Sequence, residues 1–456
     1  MRGAFALDLM ALGCFRMGLG FVFLADLVLR WGDFPLHYTE VGVMPLAGAA
    51  DFASHSAFVP LHLLNSSAAW MAFLFGIGIL GGLGLFVGLW TRASGLLCWV
   101  VLGAIQARNP LVLYGVDTLL MVLLFWGFFL PLGARFSLDA KRFGWRGGGQ
   151  FRSLASAAYT LQIAVIYLFG ALAKSGETWW SGQAVEVVLQ LDQYTSSLGR
   201  WLLGQETILP WFTWGTLLVE FVAPLLLLVP GRRCRRIGVA LLVGLHAGFW
   251  VFMELGLFPA VSLVALLPLW RAGSPTAGAE QSQRTLPFAT VESVFLAVAL
   301  ISMLLFNTWG VFVEFQRGRV KSHLPESYVR VLEWFRLDQS WSMFSPDPPL
   351  DDGWLVVRGT LESGEVIDLL HGGGAPGIEK PIDVSRSFGS DRWKAYLLNL
   401  VTRRLSWERT VRGLVDRYER ERPDRKRMVR VEVIFVNEPT GQLGKIEPVT
   451  LFDRSF

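Results

Sequence analysis

Long apolar runs occupy the first two thirds of the chain and predict its main elements. A helix that crosses a bilayer needs about 20 predominantly apolar residues. Such runs predict helices over residues 9–29, 67–90, 113–132, 155–174, 209–229 and 291–313. A shorter run predicts a helix over 92–108, and residues 236–271 read as two helices, because Glu254, Gly256 and Pro259 mark a tight turn. The pattern therefore predicts an all-α polytopic bundle of about nine transmembrane helices.

From about residue 314 the chain changes to charged, alternating sequence interrupted by prolines. Alternation over 354–360 and 365–370, with Ser363-Gly364 between the two runs, predicts a β-hairpin. Apolar spacing predicts amphipathic helices over 391–404 and 407–422, and a further strand over 428–436. We therefore expect a transmembrane domain over residues 1–313 and a small α+β domain over residues 314–456.

Composition supports an integral membrane protein. Of the 456 residues, 53% are apolar and only 17% are charged, whereas soluble domains carry about 25% charged residues. The mean hydropathy is +0.44. A formal net charge of +4 is too small to indicate a nucleic-acid partner. The lipid bilayer is thus the expected surroundings of the first domain.

The placement of Lys and Arg predicts the orientation, because cytoplasmic loops carry an excess of these residues. With the N-terminus in the cytoplasm, most of them fall in cytoplasmic loops. The opposite loops before residue 314 hold only Arg30, Arg108, Lys174 and Arg200. An odd number of helices then places the α+β domain outside the cytoplasm.

Two charged residues and several glycines in the apolar runs predict helix packing. Arg16 and Asp26 are costly in lipid, so they are expected to face protein and pair with polar groups. Gly76, Gly78 and Gly81 form a GxGxxG match, but this lies inside an apolar run without the strand that precedes a nucleotide site. The spacing of Gly78 and Gly82, and that of Gly84 and Gly88, predicts close approach of helices instead.

Histidines give no metal signal. His37, His55 and His62 lie in the long loop after the first helix and lack HxxxH or HExxH spacing, so no metal site is predicted. His246 lies inside a predicted helix. There it either makes a structural hydrogen bond or serves ligand binding or proton transfer.

Lys174 ends an apolar run and is followed by Glu177, Trp179 and Trp180. Two interpretations remain open. A lysine at a helix end extends its ammonium to the membrane interface, where the tryptophans form an aromatic belt. In an apolar pocket, by contrast, a neutral lysine amine acts as a base. Glu177 is a candidate partner for the lysine, and Asp192 and Glu220 are secondary candidates for the same region.

Tyr167, Gly170, Lys174, Trp179 and Gly182 lie in one segment of the chain, and this segment resembles the vitamin K-dependent gamma-carboxylase family. Aligning Tyr167, Gly170, Trp179 and Gly182 with the family segment places the family's catalytic lysine on Lys174. A second similarity is a histidine followed at a fixed distance by a Gly-x-Phe-Pro element. In this chain that element is formed by His246, Gly256, Phe258 and Pro259.

A third segment points to one branch of these proteins. RNPLVLYG, residues 108–115, has Pro110 where the carboxylases have a functional histidine. Asn109, Pro110 and Asp117 instead match bacterial relatives that carry the HTTM domain, and SWSMFSPDPP, residues 340–349, resembles the tails of those relatives. The resemblance covers about residues 9–270.

The resemblance implies a bacterial inner-membrane enzyme that uses a reduced menaquinone or vitamin K-type hydroquinone. Lys174 is then the catalytic base that deprotonates the hydroquinone, and an exported protein or peptide is the substrate. The implied supporting residues are His246, Asn109, Tyr114, Asp117 and Glu177. Trp179 and Phe258 are the residues expected to bind the cofactor.

A non-enzymatic function is the alternative. The α+β domain then holds a secreted protein or peptide in place as a scaffold or maturation partner, and Lys174 serves as an interfacial anchor.

Overall fold

The computed structural model describes residues 5–53, 61–65, 67–144, 149–270, 289–315, 324–422, 427–441 and 445–456. Each of the apolar runs predicted as helical is a helix. Their bounds are α1 (Leu9–Gly32), α2 (Ala68–Val87), α3 (Thr91–Arg108), α4 (Gly115–Phe128), α5 (Leu154–Ala173), α6 (Leu209–Leu228), α7 (Arg232–Phe252), α8 (Phe258–Trp270) and α9 (Ala289–Phe315). Shorter helices in the connections are Phe34–His37, Leu46–Ala53, Leu61–Leu64, Leu138–Arg142, Glu177–Trp180, Ala184–Gln190 and Ser197–Leu203.

Among the described residues, six of these helices are long and apolar enough to cross a membrane: α1, α2, α5, α6, α7 and α9. Helices α4 and α8 are apolar but have only 14 and 13 residues. The chain is a multi-pass membrane protein with a helical bundle, as the apolar pattern predicted.

Helix α4 is shorter than the predicted run 113–132. It starts at Gly115 because the Asp117 carboxylate accepts a hydrogen bond from the Tyr114 N–H at 2.9 Å, which caps the first turn. It ends before Pro131, and nearly all of its residues are buried. An apolar helix surrounded by other helices does not need to span the bilayer alone.

Helices α1 and α2 approach each other closely through glycines. A Cβ atom on Gly82 would lie 2.7 Å from the Leu24 side chain, and one on Gly20 would lie 2.8 Å from the Phe86 backbone. The predicted packing role of Gly82 is therefore confirmed. Gly88 is closely packed as well, because a Cβ atom there would lie 2.3 Å from the Ser137 side chain, and it also ends α2 in the left-handed conformation with φ +72°.

The α+β domain contains an antiparallel sheet of four strands among the described residues. The strands β1 (Gly353–Leu361), β2 (Val366–Asp368), β3 (Met428–Asn437) and β4 (Glu447–Ser455) have the spatial order β2-β1-β3-β4. Val357 pairs with Val433 in the centre. The helices are α10 (Glu326–Phe335), α11 (Asp391–Thr402) and α12 (Glu408–Glu421). The hairpin, α11, α12 and β3 match the predicted elements, whereas the edge strand β4 was missed.

A buried ring of four charged side chains joins this domain to the bundle. Arg30 Nε lies 2.7 Å from Asp26 Oδ2, and Arg392 Nη1 lies 2.6 Å from Asp117 Oδ2. The remaining two pairs, Arg30 with Asp117 and Arg392 with Asp26, close the ring. All four side chains are almost fully buried, and the two guanidinium charges balance the two carboxylates. The ring therefore orients α11 against α1 and α4.

Arg16 is also satisfied inside the protein. Its guanidinium donates to the carbonyl oxygens of Leu85 and Phe136, each at 2.6 Å. The ion pairs of Asp26 and these contacts of Arg16 confirm that both charged residues of the first helix face protein rather than lipid.

Candidate functional site

Lys174 follows the last residue of α5, and its side chain folds back into the bundle. Nζ donates to Glu220 Oε2 at 2.8 Å and to the carbonyl oxygen of Gly170 at 3.3 Å. Lys174 is only 5% exposed and Glu220 7%. An interfacial lysine keeps its ammonium in contact with water, so this burial argues against the interfacial-anchor interpretation.

Glu220, on α6, is the ionic partner of Lys174. The proposed partner, Glu177, is instead exposed at the start of the helix Glu177–Trp180. The pairing of Lys174 with Glu177 was therefore wrong. The prediction relied on a carboxylate close in sequence, whereas the partner lies 46 positions away and reaches the lysine because α6 packs beside it.

An apolar cavity of about 390 Å³ opens beside this ion pair. Lys174 and Glu220 line it, together with Trp179 and apolar side chains of α6 and α7 such as Phe249. The Lys174 ammonium lies 5.3 Å from the centre of the Trp179 ring. The size of the cavity, its apolar walls and its small number of charged groups are typical of a small-molecule site.

Residues 340–349 of the C-terminal part close one side of this cavity. Trp179 Nε1 donates to the carbonyl oxygen of Phe344 at 2.8 Å, and the Gly176 N–H donates to that of Pro346 at 2.9 Å. The Thr178 N–H donates to Asp347 Oδ1 at 2.9 Å. The segment 174–179 and the segment 340–349 therefore lie at the same end of the bundle and shape the cavity together.

His246 lies close to this cavity but does not line it. Its Nε2 atom is 2.8 Å from the hydroxyl of Tyr167, which is seven residues before Lys174 on α5. Nδ1 of His246 is buried and has no hydrogen-bond partner among the described residues. Sequence reasoning placed His246 in the region but missed Tyr167 as its partner.

A second cavity of about 400 Å³ adjoins the first. The two share the lining residues Leu255, Met343 and Phe344. Tyr114 and Phe258 line the second cavity, so the two predicted cofactor-binding residues, Trp179 and Phe258, belong to neighbouring cavities. The Lys394 ammonium at its wall donates to the backbone carbonyls of the loops 193–194 and 254–255, a contact that no sequence motif indicated.

Asn109 and Asp117 line neither of these two cavities. Asp117 belongs to the buried ionic ring, and Arg392 of that ring stacks 4.7 Å from the Tyr114 ring centre. Asn109 accepts a hydrogen bond from the Leu111 N–H at 3.2 Å and contacts His37. These contacts give both residues structural roles, and Tyr114 connects the ring to the second cavity.

Two of the three histidines in the loop after α1, His37 and His62, are described by the structure, and both are buried. Burial lowers the pKa of His37 to about 3, and Arg392 and Arg30 add to the effect. Burial also lowers the pKa of His62 to about 4. Both imidazoles are neutral at physiological pH. His55 lies outside the described residues.

Comparison with known proteins gives one family. A family model described as HTTM domain matches residues 6–272. The match includes Lys174, Glu220 and His246 and excludes the α+β domain. No curated protein matches the chain, and no solved structure matches it.

Proposed function

This chain belongs to the HTTM-domain family, and on that basis we propose that it is a bacterial inner-membrane enzyme that binds a lipid hydroquinone in the cavity beside Lys174 and Glu220. The observation that carries the proposal is the buried ion pair at the wall of an apolar cavity. The α+β domain lies outside the cytoplasm in this proposal and presents an exported protein or peptide.

The cavity fits a hydroquinone head group by its chemistry. The aromatic faces of Trp179 and Phe249 suit a planar ring, and the carboxylate of Glu220 accepts a hydrogen bond from a hydroxyl group. A reduced menaquinone or vitamin K-type hydroquinone, when bound, supplies acidic hydroxyl groups and reducing equivalents for oxygen. The protein has to bind that ring, exclude water and take up a proton.

Lys174 acts as a base only after it has lost its proton, and Glu220 is placed to receive it. The two side chains are 2.8 Å apart in surroundings that penalise both charges. Transfer of the proton from Nζ to the carboxylate removes both buried charges at once. The resulting neutral amine then accepts a proton from a hydroxyl group in the cavity.

Glutamate carboxylation itself is less well supported than hydroquinone chemistry in general. Pro110, which occupies the position of the carboxylases' functional histidine, starts the 3-10 turn Pro110–Val112 and has no proton-transferring side chain. We therefore propose oxygen-dependent hydroquinone chemistry on an exported substrate, with carboxylation as one form of it.

The test is hydroquinone turnover by the full-length protein reconstituted in lipid. Reduced menaquinone or vitamin K is supplied with oxygen, and epoxide formation is followed by mass spectrometry. Lys174→Met and Glu220→Gln are expected to lower the rate about 10²- to 10⁴-fold, the usual effect of losing a general base. Glu177→Gln, which alters an exposed carboxylate three residues after Lys174, is the matched control and should retain the wild-type rate.

Turnover that survives Lys174→Met would contradict the assignment of the base. If wild-type protein forms no epoxide from any of the hydroquinones, the scaffold function is favoured. The buried ring that fixes the α+β domain to the bundle is the feature that suits a scaffold, because it presents that domain in one orientation. Its test is co-purification of exported proteins with the full-length chain.

A further inference from the structure

Three carboxylates meet where the α+β domain contacts a loop of the membrane part. Asp192 follows the helix Ala184–Gln190, Asp352 precedes β1, and Glu438 follows β3. One carboxylate oxygen from each residue lies within 4.8 Å of the other two. The cluster lies outside both cavities and takes no part in the proposed hydroquinone chemistry.

Lys380 brings a positive charge to this cluster of carboxylates. Lys380 Nζ lies 2.6 Å from Asp192 Oδ2 and also pairs with Glu438. This ammonium contacts two of the three carboxylates, those of Asp192 and Glu438. The Lys380 side chain is 37% exposed, so it can move into solvent without crossing protein.

Asp352 supplies a carboxylate oxygen that accepts no hydrogen bond within the described part of the chain. The residue is only 2% exposed. Its Oδ2 atom accepts a hydrogen bond from the Asp192 N–H at 2.9 Å, while Oδ1 is buried without a hydrogen-bond partner among the described residues. A buried acceptor without a partner is costly, and a cation in the cluster would provide one.

We propose that Asp192, Asp352 and Glu438 bind a divalent cation, with Ca²⁺ preferred, and that Lys380 neutralises the site when the cation is absent. Carboxylates are hard oxygen ligands, and Ca²⁺ binds them at about 2.3–2.6 Å, so oxygens on opposite sides of one ion lie about 4.6–5.2 Å apart. The spacing in the cluster falls within that limit. The cluster has no histidine or cysteine that would favour zinc or copper.

Such an ion would link two parts of the molecule. Asp192 belongs to the membrane part. Asp352 and Glu438 belong to the α+β domain, where they lie next to the ends of β1 and β3. Ca²⁺ would therefore strengthen the contact between them, in addition to the buried ring. The spacing of the three residues along the chain carries no metal motif, which is why the sequence did not predict the site.

The test is thermal unfolding and calorimetric titration of the full-length protein in detergent, with EGTA, Ca²⁺ or Mg²⁺. We expect Ca²⁺ to raise the unfolding temperature more than Mg²⁺ does. Asp352→Asn, which keeps the side-chain shape, should weaken Ca²⁺ binding at least tenfold. Asp453→Asn removes an exposed carboxylate on β4 and should leave binding unchanged.

Lys380→Met separates a cation site from an ordinary salt bridge. Without the competing ammonium, Ca²⁺ should bind more tightly to the variant than to wild-type protein. If the variant is less stable than wild type in EGTA, Ca²⁺ should restore its stability. The proposal is overturned if wild-type protein shows no Ca²⁺ binding at millimolar concentration. A stability loss in Lys380→Met that Ca²⁺ does not restore would overturn it as well, even if Asp352→Asn fails to fold.

Discussion

Removal of one charge from the buried ring should loosen the α+β domain by a measurable amount. In Asp117→Asn, the guanidiniums of Arg30 and Arg392 face Asp26 as the only remaining carboxylate of the ring. The ring side chains are at most 4% exposed, so water does not screen the excess positive charge. Breaking a buried ion pair from one side costs about 3–5 kcal/mol.

Hydrogen–deuterium exchange of α11 in the full-length protein measures this cost. Each 1.4 kcal/mol corresponds to a factor of ten, so a loss of about 3–5 kcal/mol should speed the exchange of α11 amides by about a hundred-fold to a few thousand-fold. The double variant Asp117→Asn/Arg392→Met restores neutrality and leaves the Asp26–Arg30 pair intact. It should be less destabilised than the sum of the single variants.

The matched control is the exposed pair of Arg430 and Asp453, which lie 2.6 Å apart on the sheet. Asp453→Asn should leave the exchange of α11 unchanged. Exchange in Asp117→Asn within about threefold of wild type, or strictly additive effects in the double variant, would refute a tightly coupled ring.

Two further predictions concern Gly176, close to Lys174 in the chain, and His371, just after the β-hairpin. In Gly176→Ala the new Cβ would lie 2.0 Å from the Asp347 carboxylate. This clash should cost about 1–3 kcal/mol of stability and so lower the unfolding temperature. Gly215→Ala, whose new Cβ would meet open space, should leave the unfolding temperature unchanged. The hydrogen bond that the His371 ring donates to the Asp368 carboxylate raises the pKa of His371. His371 therefore stabilises the fold fully below its unfolded pKa of about 6.5 and loses this effect as pH rises through the folded pKa. His371→Gln should therefore lower the unfolding temperature at pH 5.5 and leave it unchanged at pH 9; a deficit that persists at pH 9 would contradict this sign.

The elements of the bundle could be predicted because their cause is local. A helix satisfies its own backbone hydrogen bonds, so an apolar run of sufficient length is enough to predict it. The turn at Gly256 and Pro259, the helix α11 and the strand β3 follow from similarly local signals. The strand β4 was missed because Glu447–Ser455 is largely exposed and lacks a clear alternation of buried and exposed residues.

The candidate site was predictable only in part. The resemblance of the segment around Lys174 singled out that residue, and its role as a base remains a prediction. Its partner could not be read from nearby residues, and neither could the contact between Tyr167 and His246, which joins α5 to α7.

By itself the sequence determined a multi-pass helical membrane protein with a small α+β domain, its helices and an unusual lysine. The tertiary structure alone decided that Glu220 pairs with Lys174, and that Asp26 meets Arg392 from 366 positions away. The physical reason is the range of the forces involved. Backbone hydrogen bonds and apolar periodicity act within a few residues, whereas the partner of a buried charge is set by whichever helices pack around it.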